Sequence, residues 1–262
     1  MKLIQSKDNP QLKMLAKLAT SVRERRDSGL TLLDGDHLIA AYAKSSGTAN
    51  VLAISETALT RTHQKALFER CPAHVRLVLA DRLLSTISPV ATASGMVAAI
   101  QVPAPGAWPE LAETCLLLED IQDPGNLGSM LRTAAAAGLR HVALSGACAS
   151  AWAPKTVRAG MGAHFSLHLH ENADLVALAG AFSGKIAATE PRAKMTLYSS
   201  DLRGPVAWLF GNEGAGLSPE LSRCASERLA IPMPGQVESL NVAGAVAVCL
   251  FEQVRQKAQQ PQ

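Results

Sequence analysis

Three stretches of this chain of 262 residues bring together the residue types that polar chemistry needs. The first runs from Glu119 to Gly128 and leads into Arg132, the second covers residues 210–218, and the third covers residues 231–245. Each combines glycines with amide, hydroxyl or charged side chains, and each follows a short apolar run suited to a buried strand. Because ligands bind at the carboxyl ends of parallel strands, we expect the three stretches to line one crevice.

The sequence lacks the familiar signatures of nucleotide, metal and hydrolase sites. Gly211, Gly214 and Gly216 are spaced G-x-x-G-x-G, the wrong order for a dinucleotide fingerprint, and no G-x-x-x-x-G-K-[ST] sequence is present. The three histidines of residues 164–170 fall on a strand-like run without a cysteine or carboxylate at ligand spacing, so we predict no metal site. No serine or cysteine occupies a nucleophile elbow.

Composition predicts two domains and a reducing, cytoplasmic location. Hydrophobic residues make up 48% of the chain, which is ample for a buried core. No apolar run reaches the roughly 18 residues of a membrane helix, and no apolar signal segment follows the N-terminal charges, so we expect neither a membrane span nor secretion. The five cysteines are scattered without a C-x-x-C pair, which is typical of cytoplasmic proteins without structural zinc.

Positive charge is concentrated at the start of the chain, although the net charge is only +3. The first 26 positions contain seven basic residues and only two acidic ones, Asp8 and Glu24. Such a cluster suits contact with phosphates, whereas charge alone favours an ordinary solvated helix face. The basic residues are Lys2, Lys7, Lys13, Lys17, Arg23, Arg25 and Arg26.

Apolar periodicity predicts two α/β units joined by a Pro/Gly-rich linker. The first unit is residues 1–102, the linker is residues 103–112, and the second unit is residues 113–262. In the first unit we predict a helix from Asn9-Pro10 to Gly29, strands at 30–33, 51–55, 75–79 and 96–102, and helices at 36–44, 56–70 and 81–87. In the second we predict strands at 115–118, 141–144, 165–170, 185–189, 206–210 and 228–231, and helices at 126–137, 174–182, 219–224 and up to about 256, with a further helix beginning at Lys155. The residues alone indicate a doubly wound, mainly parallel sheet.

The three polar stretches resemble the motifs of the SpoU, or TrmH-type, branch of the SPOUT superfamily. The matches are N-L-G-x-x-x-R-T-A from Asn126, F-G-N-E-x-x-G-L-S from Phe210 and I-P-M-x-G-x-x-x-S-L-N-V from Ile231, in the family's order. These enzymes use S-adenosylmethionine to methylate the ribose 2′-oxygen of RNA. Residues 4–10 and 33–38 resemble the opening of the family's small RNA-binding domain, which is of ribosomal-protein (L30e-like) type.

The resemblance implies a fold that the residue pattern does not. In this family the second domain is an α/β knot, in which the C-terminal chain threads a loop as a deep trefoil knot that forms the cofactor site. The family also implies a homodimer through the C-terminal domain, with a composite active site. The small residues of the last helix, such as Gly244 and Ala247, agree with a close helix contact.

The resemblance also assigns roles to individual residues. Arg132 would meet the ribose 2′-hydroxyl or an adjacent phosphate, either as a transient base or as a fixed cation that stabilises the developing alkoxide. Asn126, Glu213 and Ser239 would position Arg132 and the substrate, and Asn241 would complete the catalytic group. Cofactor contacts would come from Thr189, Phe210, Gly211, Asn212, Ile231, Met233, Leu240, Asn241 and Ala243, the last standing where many relatives have serine. RNA contacts would come from Lys7, Lys13, Arg23, Arg25, Arg26, Arg132 and Arg158.

The implied function is S-adenosylmethionine-dependent 2′-O-methylation of a structured RNA. Ribosomal RNA is the first expectation, at a guanosine or other nucleotide of 23S RNA, and transfer RNA is the second. Two alternatives stay open: an RNA-binding paralogue that has lost methyl transfer, and a Rossmann oxidoreductase, which the missing glycine fingerprint disfavours. RNA and a second copy of the chain are the expected partners.

Overall fold

The structure is a computed structural model that describes residues 3–88, 94–109, 113–237 and 239–259. The chain forms two compact units: one contains the residues up to Pro103 together with Trp152–Phe165, and the other contains Ala104–Ala151 and the residues from Ser166 onward. Residues 110–112 of the predicted linker lie outside the described residues. The predicted boundaries do not anticipate the segment Trp152–Phe165, which joins the first unit partly through a 2.6 Å hydrogen bond from the Thr31 hydroxyl to the Trp152 carbonyl.

The first unit is built on a five-stranded sheet with strand order β1-β4-β3-β5-β2. β1, β4 and β3 pair in parallel, and β5 is antiparallel to both of its neighbours. The strands are β1 (Leu3–Ile4), β2 (Leu30–Asp34), β3 (Ala49–Ser55), β4 (Ala73–Leu79) and β5 (Met96–Gln101). The helices are α1 (Pro10–Thr20), α2 (Val22–Ser28), α3 (Asp36–Lys44), α4 (Glu56–Leu59), α5 (Thr62–Arg70), α6 (Asp81–Leu84) and, from the later segment, α8 (Pro154–Gly160).

Two predicted helices of the first unit are each broken in two. The helix expected from Asn9 to Gly29 is interrupted at Ser21, whose extended backbone ends α1 and whose hydroxyl accepts a hydrogen bond from the Glu24 amide to cap α2. A serine followed three residues later by glutamate is a capping-box sequence, so a local signal for this break was present. The helix expected over 56–70 likewise divides into α4 and α5.

Helix α1 supplies part of the core of the first unit. Asn9 caps it by accepting hydrogen bonds from the Gln11 and Leu12 amides, and Pro10 occupies the first helical position. Leu12, Leu15 and Leu18 then follow at three-residue spacing and are buried in one apolar cluster with residues of the sheet. The predicted start of this helix is therefore confirmed.

The second unit is a seven-stranded sheet, predicted as mainly parallel, in which every pairing between the described strands is parallel. The strand order is β10-β12-β9-β11-β6-β7-β8. The strands are β6 (Cys115–Leu118), β7 (His141–Leu144), β8 (His168–His170), β9 (Lys185–Thr189), β10 (Met195–Thr196), β11 (Val206–Phe210) and β12 (Glu227–Ala230). The helices are α7 (Pro124–Ala136), α9 (Leu175–Ala181), α10 (Pro219–Cys224) and α11 (Val242–Ala258).

The order of these strands brings the three polar stretches to one edge of the sheet. β11 lies between β9 and β6, so the loops that leave β9, β11 and β6 meet at one edge of the sheet. β12 lies beyond β9, yet α11, which follows it, packs against α7, which follows β6. The described residues between β12 and α11 must therefore cross the carboxyl ends of the central strands. Within the described residues, no helix is both long enough and apolar enough to span a bilayer.

Candidate active site

A cavity of about 350 Å³ lies at the carboxyl edge of the second sheet, and we call it the carboxyl-edge cavity. It brings together eight of the nine predicted cofactor residues. Ala243 is not among the described residues that line it; its amide instead donates to the Asn241 side chain at the start of α11, and the lining alanine of this helix is Ala245, two residues further along. The lining residues are Thr189, Glu190, Pro191, Phe210, Gly211, Asn212, Glu213, Gly216, Leu217, Leu229, Ile231, Met233, Ser239, Leu240, Asn241, Val242 and Ala245.

One wall of this cavity is a tight loop of residues 211–217, which we call the glycine loop. Asn212 and Gly216 exchange two backbone hydrogen bonds of 3.0 and 2.9 Å, so the loop closes on itself. A Cβ atom on Gly211 would lie 2.3 Å from the Gly216 carbonyl group, and Gly216 has a φ of +73°. Only glycine fits the first position, and the second favours it. The first and last glycines of the G-x-x-G-x-G sequence therefore allow the loop to close on itself.

The three polar stretches are joined by the side chain of Asn126, in the first turn of α7. Its amide donates to Glu213 Oε1 at 3.0 Å, and its carbonyl oxygen accepts from Asn241 Nδ2 at 3.0 Å. Asn241 in turn caps α11 through the Ala243 amide at 2.9 Å. Both amide functions of Asn126 are thus used to connect loops that are 87 and 115 residues away in the chain.

Arg132 lies six residues after Asn126 on α7 and is exposed to solvent. Among the residues that the structure describes, its guanidinium has no hydrogen-bond or ion-pair partner, and this includes Asn126, Glu213 and Ser239, which were expected to position it. The helix explains the separation, because six residues turn the side chain about 120° away from Asn126 and about 9 Å along the axis. Within the described part of the chain, Arg132 is therefore an unpaired cation on a neighbouring face of α7.

The predicted RNA-binding residues near the N-terminus are mostly exposed, and several are paired with carboxylates. Exposed pairs of this kind contribute little to stability, so their cations could exchange partners with phosphates. Lys7 is exposed, and Lys2 lies outside the described residues. The ion pairs are Lys13–Asp8 at 2.8 Å, Arg23–Asp27 at 3.2 Å and Arg26–Asp27 at 3.6 Å.

Two other predicted RNA contacts have structural partners in the first unit. Arg25 donates to the Leu18 carbonyl at 2.8 Å, and partial burial lowers the pKa of its guanidinium. Arg158, on α8, lies 3.8 Å from the buried carboxylate of Asp34. Both side chains therefore have an intramolecular role that the charge pattern did not reveal.

The histidines that drew attention in the sequence are not arranged as a metal centre. The described residues contain no group of three or more His, Cys, Asp or Glu side chains that could hold a metal ion. His164 lies in a short 3₁₀ helix and not on the strand expected from residue 165, because β8 begins only at His168. The rings of His141 and His168 stack on neighbouring strands with centroids 4.9 Å apart.

Comparisons with known proteins agree with this geometry. The model of the SpoU rRNA methylase family matches residues 113–251. An uncharacterised tRNA/rRNA methyltransferase of Synechocystis sp. is 35% identical over 97% of this chain and 94% of its own. A 23S rRNA (guanosine(2553)-2′-O)-methyltransferase of Bacillus subtilis is 31% identical over 96% of this chain and 98% of its own.

Solved structures resemble the whole chain. The SpoU methyltransferase AviRb of Streptomyces viridochromogenes, in complex with the cofactor AdoMet, superposes with a TM-score of 0.85 at 25% identity, covering 97% of this chain and 100% of its own. The AdoMet-bound rRNA methyltransferase of Sinorhizobium meliloti gives a TM-score of 0.83 at 27% identity, covering 97% of each chain.

Proposed function

Because this chain belongs to the SpoU rRNA methylase family, we propose that it methylates a ribose 2′-oxygen of 23S ribosomal RNA. The chain is an RNA methyltransferase, and S-adenosylmethionine is its methyl donor. The observation that carries the proposal is the bridge from Asn126 to Glu213 and Asn241, because it joins the three motif stretches beside one cavity. Support for a ribosomal substrate comes from the Bacillus subtilis relative, which aligns with this chain over nearly its full length. Transfer RNA is the second candidate, since the Synechocystis relative is named for both RNAs.

The lining of the carboxyl-edge cavity suits S-adenosylmethionine in its chemistry. The backbone at Gly211 is open to the cavity where a side chain would collide with the loop, and Ile231, Met233 and Leu240 offer apolar surface. We assign these residues, with the backbone of residues 210–212, to hold the cofactor. When bound, it supplies a methyl group attached to a positively charged sulfur atom.

The protein's own contribution is to place and polarise the ribose hydroxyl. Asn126, Glu213 and Asn241 form a fixed polar surface, which suits the orientation of a ribose and its phosphate. We assign Arg132 as the cation that stabilises the 2′-oxygen while the hydroxyl proton passes to solvent water. A guanidinium holds its own proton strongly, and this favours the fixed cation over a transient base.

We further propose that the C-terminal chain forms a trefoil knot around the carboxyl-edge cavity. Support comes from the path of the described residues between β12 and α11, which run from β12 past the glycine loop to a helix packed on α7. Asn241 is tied to Asn126 at the end of this path. We also assign residues 1–102 as an L30e-like RNA-binding domain, supported by its basic first helices.

A homodimer through α11 completes this proposal. Phe251 and Val254 are 48% and 37% exposed on a helix that is otherwise rich in small residues, as a helix contact would require. Arg132 turns away from Asn126 in the same chain, so it would serve the cavity of the second copy. We place the enzyme in the cytoplasm, in keeping with five cysteines that are all free.

Methyl transfer from labelled S-adenosylmethionine tests the proposal. The RNA would be total RNA from a strain lacking the gene, separated by size after the reaction. We expect label in 23S RNA, a loss of at least about 100-fold in Arg132→Ala, and cofactor affinity within about twofold of the wild type. Arg140→Ala, another exposed arginine of the second unit, is the matched control and should keep full activity.

The other outcomes point to different conclusions. Label in the transfer RNA fraction would keep the chemistry and replace the substrate. Equal losses of activity and cofactor affinity in Arg132→Ala would refute the assigned role of that residue. A wild-type protein that binds RNA but neither S-adenosylmethionine nor its product would be an RNA-binding paralogue without methyl transfer.

A further inference from the structure

Glu119, the first residue after β6, holds one end of the glycine loop. Its Oε1 accepts a hydrogen bond from the Ser218 hydroxyl at 2.7 Å, and its Oε2 accepts from the Ser218 amide at 2.6 Å. Both bonds are charge-assisted, which makes them stronger than bonds between neutral groups. Ser218 also caps α10, because its hydroxyl oxygen accepts from the Leu221 amide at 3.2 Å. The carboxylate therefore attaches the loop's exit to the end of β6.

The neighbouring residue, Asp120, holds the other end of the loop. Its carbonyl accepts from Asn212 Nδ2 at 2.9 Å, while Asn212 Oδ1 accepts from the amides of Gly214 and Ala215 at 2.9 and 3.0 Å. Asp120 has a φ of +55°, which is uncommon for a residue with a side chain. Ser145 holds it there through bonds of 2.6 and 2.9 Å to its carboxylate and amide.

These contacts form one device, which we call the loop clamp and define as Glu119, Asp120, Asn212 and Ser218. The clamp holds Asn212 within the glycine loop and Ser218 immediately after the loop, on either side of Glu213. Glu213 lines the carboxyl-edge cavity and accepts from Asn126 at 3.0 Å. The position of the Glu213 carboxylate therefore depends on the hydrogen bonds of the loop clamp, which Glu213 itself does not make.

We propose that Glu119 is a positioning residue for methyl transfer. It acts through Ser218 and the glycine loop, and it fixes where Glu213 meets Asn126. This inference rests on the proposed function for its activity readout, although its effect on cofactor affinity can be measured without RNA. A carboxylate is required because both contacting groups of Ser218 donate to it, whereas an amide side chain offers only one acceptor atom.

A graded pair of substitutions tests this role. Glu119→Gln keeps the shape and one acceptor, and Glu119→Ala removes both contacts. We expect the dissociation constant for S-adenosylhomocysteine, measured by calorimetry, to rise about threefold in the first and about tenfold or more in the second. Glu220→Gln is the control, because Glu220 is an exposed partner of Arg223 on the helix that Ser218 caps.

A double-mutant comparison with Glu213 distinguishes a positioning role of Glu119 from a general effect on stability. We expect Glu119→Ala to lower kcat about tenfold in the wild-type background and less than about twofold in Glu213→Ala, because both act through one path. All rates are taken at saturating cofactor and at a temperature where circular dichroism shows each variant folded. A purely structural role would lower kcat by the same factor in both backgrounds, and that result would overturn the proposal.

Two further outcomes remain decisive. If Glu119→Ala does not fold, the same coupling is measured with Glu119→Gln. If the wild type binds S-adenosylhomocysteine but methylates no RNA, the proposed function fails, and the clamp is then judged on affinity in the two backgrounds. Affinities within twofold of the parent for both Glu119 variants would refute the clamp.

Discussion

Substitution of Gly211 by alanine would test whether the glycine loop is closed by steric necessity. An added Cβ would lie 2.3 Å from the carbonyl carbon and oxygen of Gly216 and 2.5 Å from the Leu217 amide nitrogen. These obstacles are backbone atoms, and the two backbone bonds between Asn212 and Gly216 hold them in place. The loop must therefore open to admit the methyl group.

The expected magnitude follows from this collision. Forcing one methyl group into a closed site typically costs about 1–3 kcal/mol. Gly211 lines the carboxyl-edge cavity, so the displaced loop alters the proposed cofactor site directly. If the cost appears mainly in the cofactor-bound form, the dissociation constant for S-adenosylmethionine rises by about 5-fold to 150-fold. We expect a value of about 10-fold to 100-fold by calorimetric titration.

Gly214→Ala provides a matched control within the same loop. A Cβ at Gly214 would meet only Asn212 Oδ1, at 3.6 Å, which is an ordinary contact. We expect this variant to bind S-adenosylmethionine within about twofold of the wild type. The steric argument is refuted if Gly211→Ala also binds within twofold, or if both variants lose affinity equally.

Two further predictions concern single side chains. Asn126→Asp places a carboxylate oxygen where an amide donates to Glu213 at 3.0 Å, so we expect kcat to fall at least about tenfold by like-charge repulsion. Adding Glu213→Gln to this variant should restore part of the lost kcat, and a double variant without any recovery would count against a direct contact. Burial, together with the neighbouring His168, lowers the pKa of His141 below its ordinary 6.5, so the unfolded state binds more protons than the folded state as pH falls through this value. The free energy of unfolding, measured with urea, should therefore decrease below about pH 6.5. The decrease should be smaller in His141→Gln than in the exposed control His37→Gln, and equal decreases would contradict the role given to His141.

Much of the site was predictable because its chemistry is encoded locally. Glycines at 211 and 216 are required by a collision and a positive φ within one loop, so their spacing survives as a readable motif. Asn9-Pro10 and Asn241 likewise cap the helices that follow them. The residue pattern therefore predicted a mainly parallel sheet with polar loops at one edge. Of the nine residues that the motif resemblance named for the cofactor, eight line the cavity and Ala243 does not.

Other features depend on which strands become neighbours, and no local pattern encodes that. β6 pairs with β11 between residues that are 92 positions apart in the chain, and this pairing brings Glu119 to Ser218 and Asn126 to Glu213. The transfer of residues 152–165 to the first unit is equally a matter of packing.

The residue types and their spacing determined the chemistry that this protein can perform. The tertiary structure alone decided which side chains hold that chemistry in place, because a hydrogen bond is set by distance in space and not by distance along the chain.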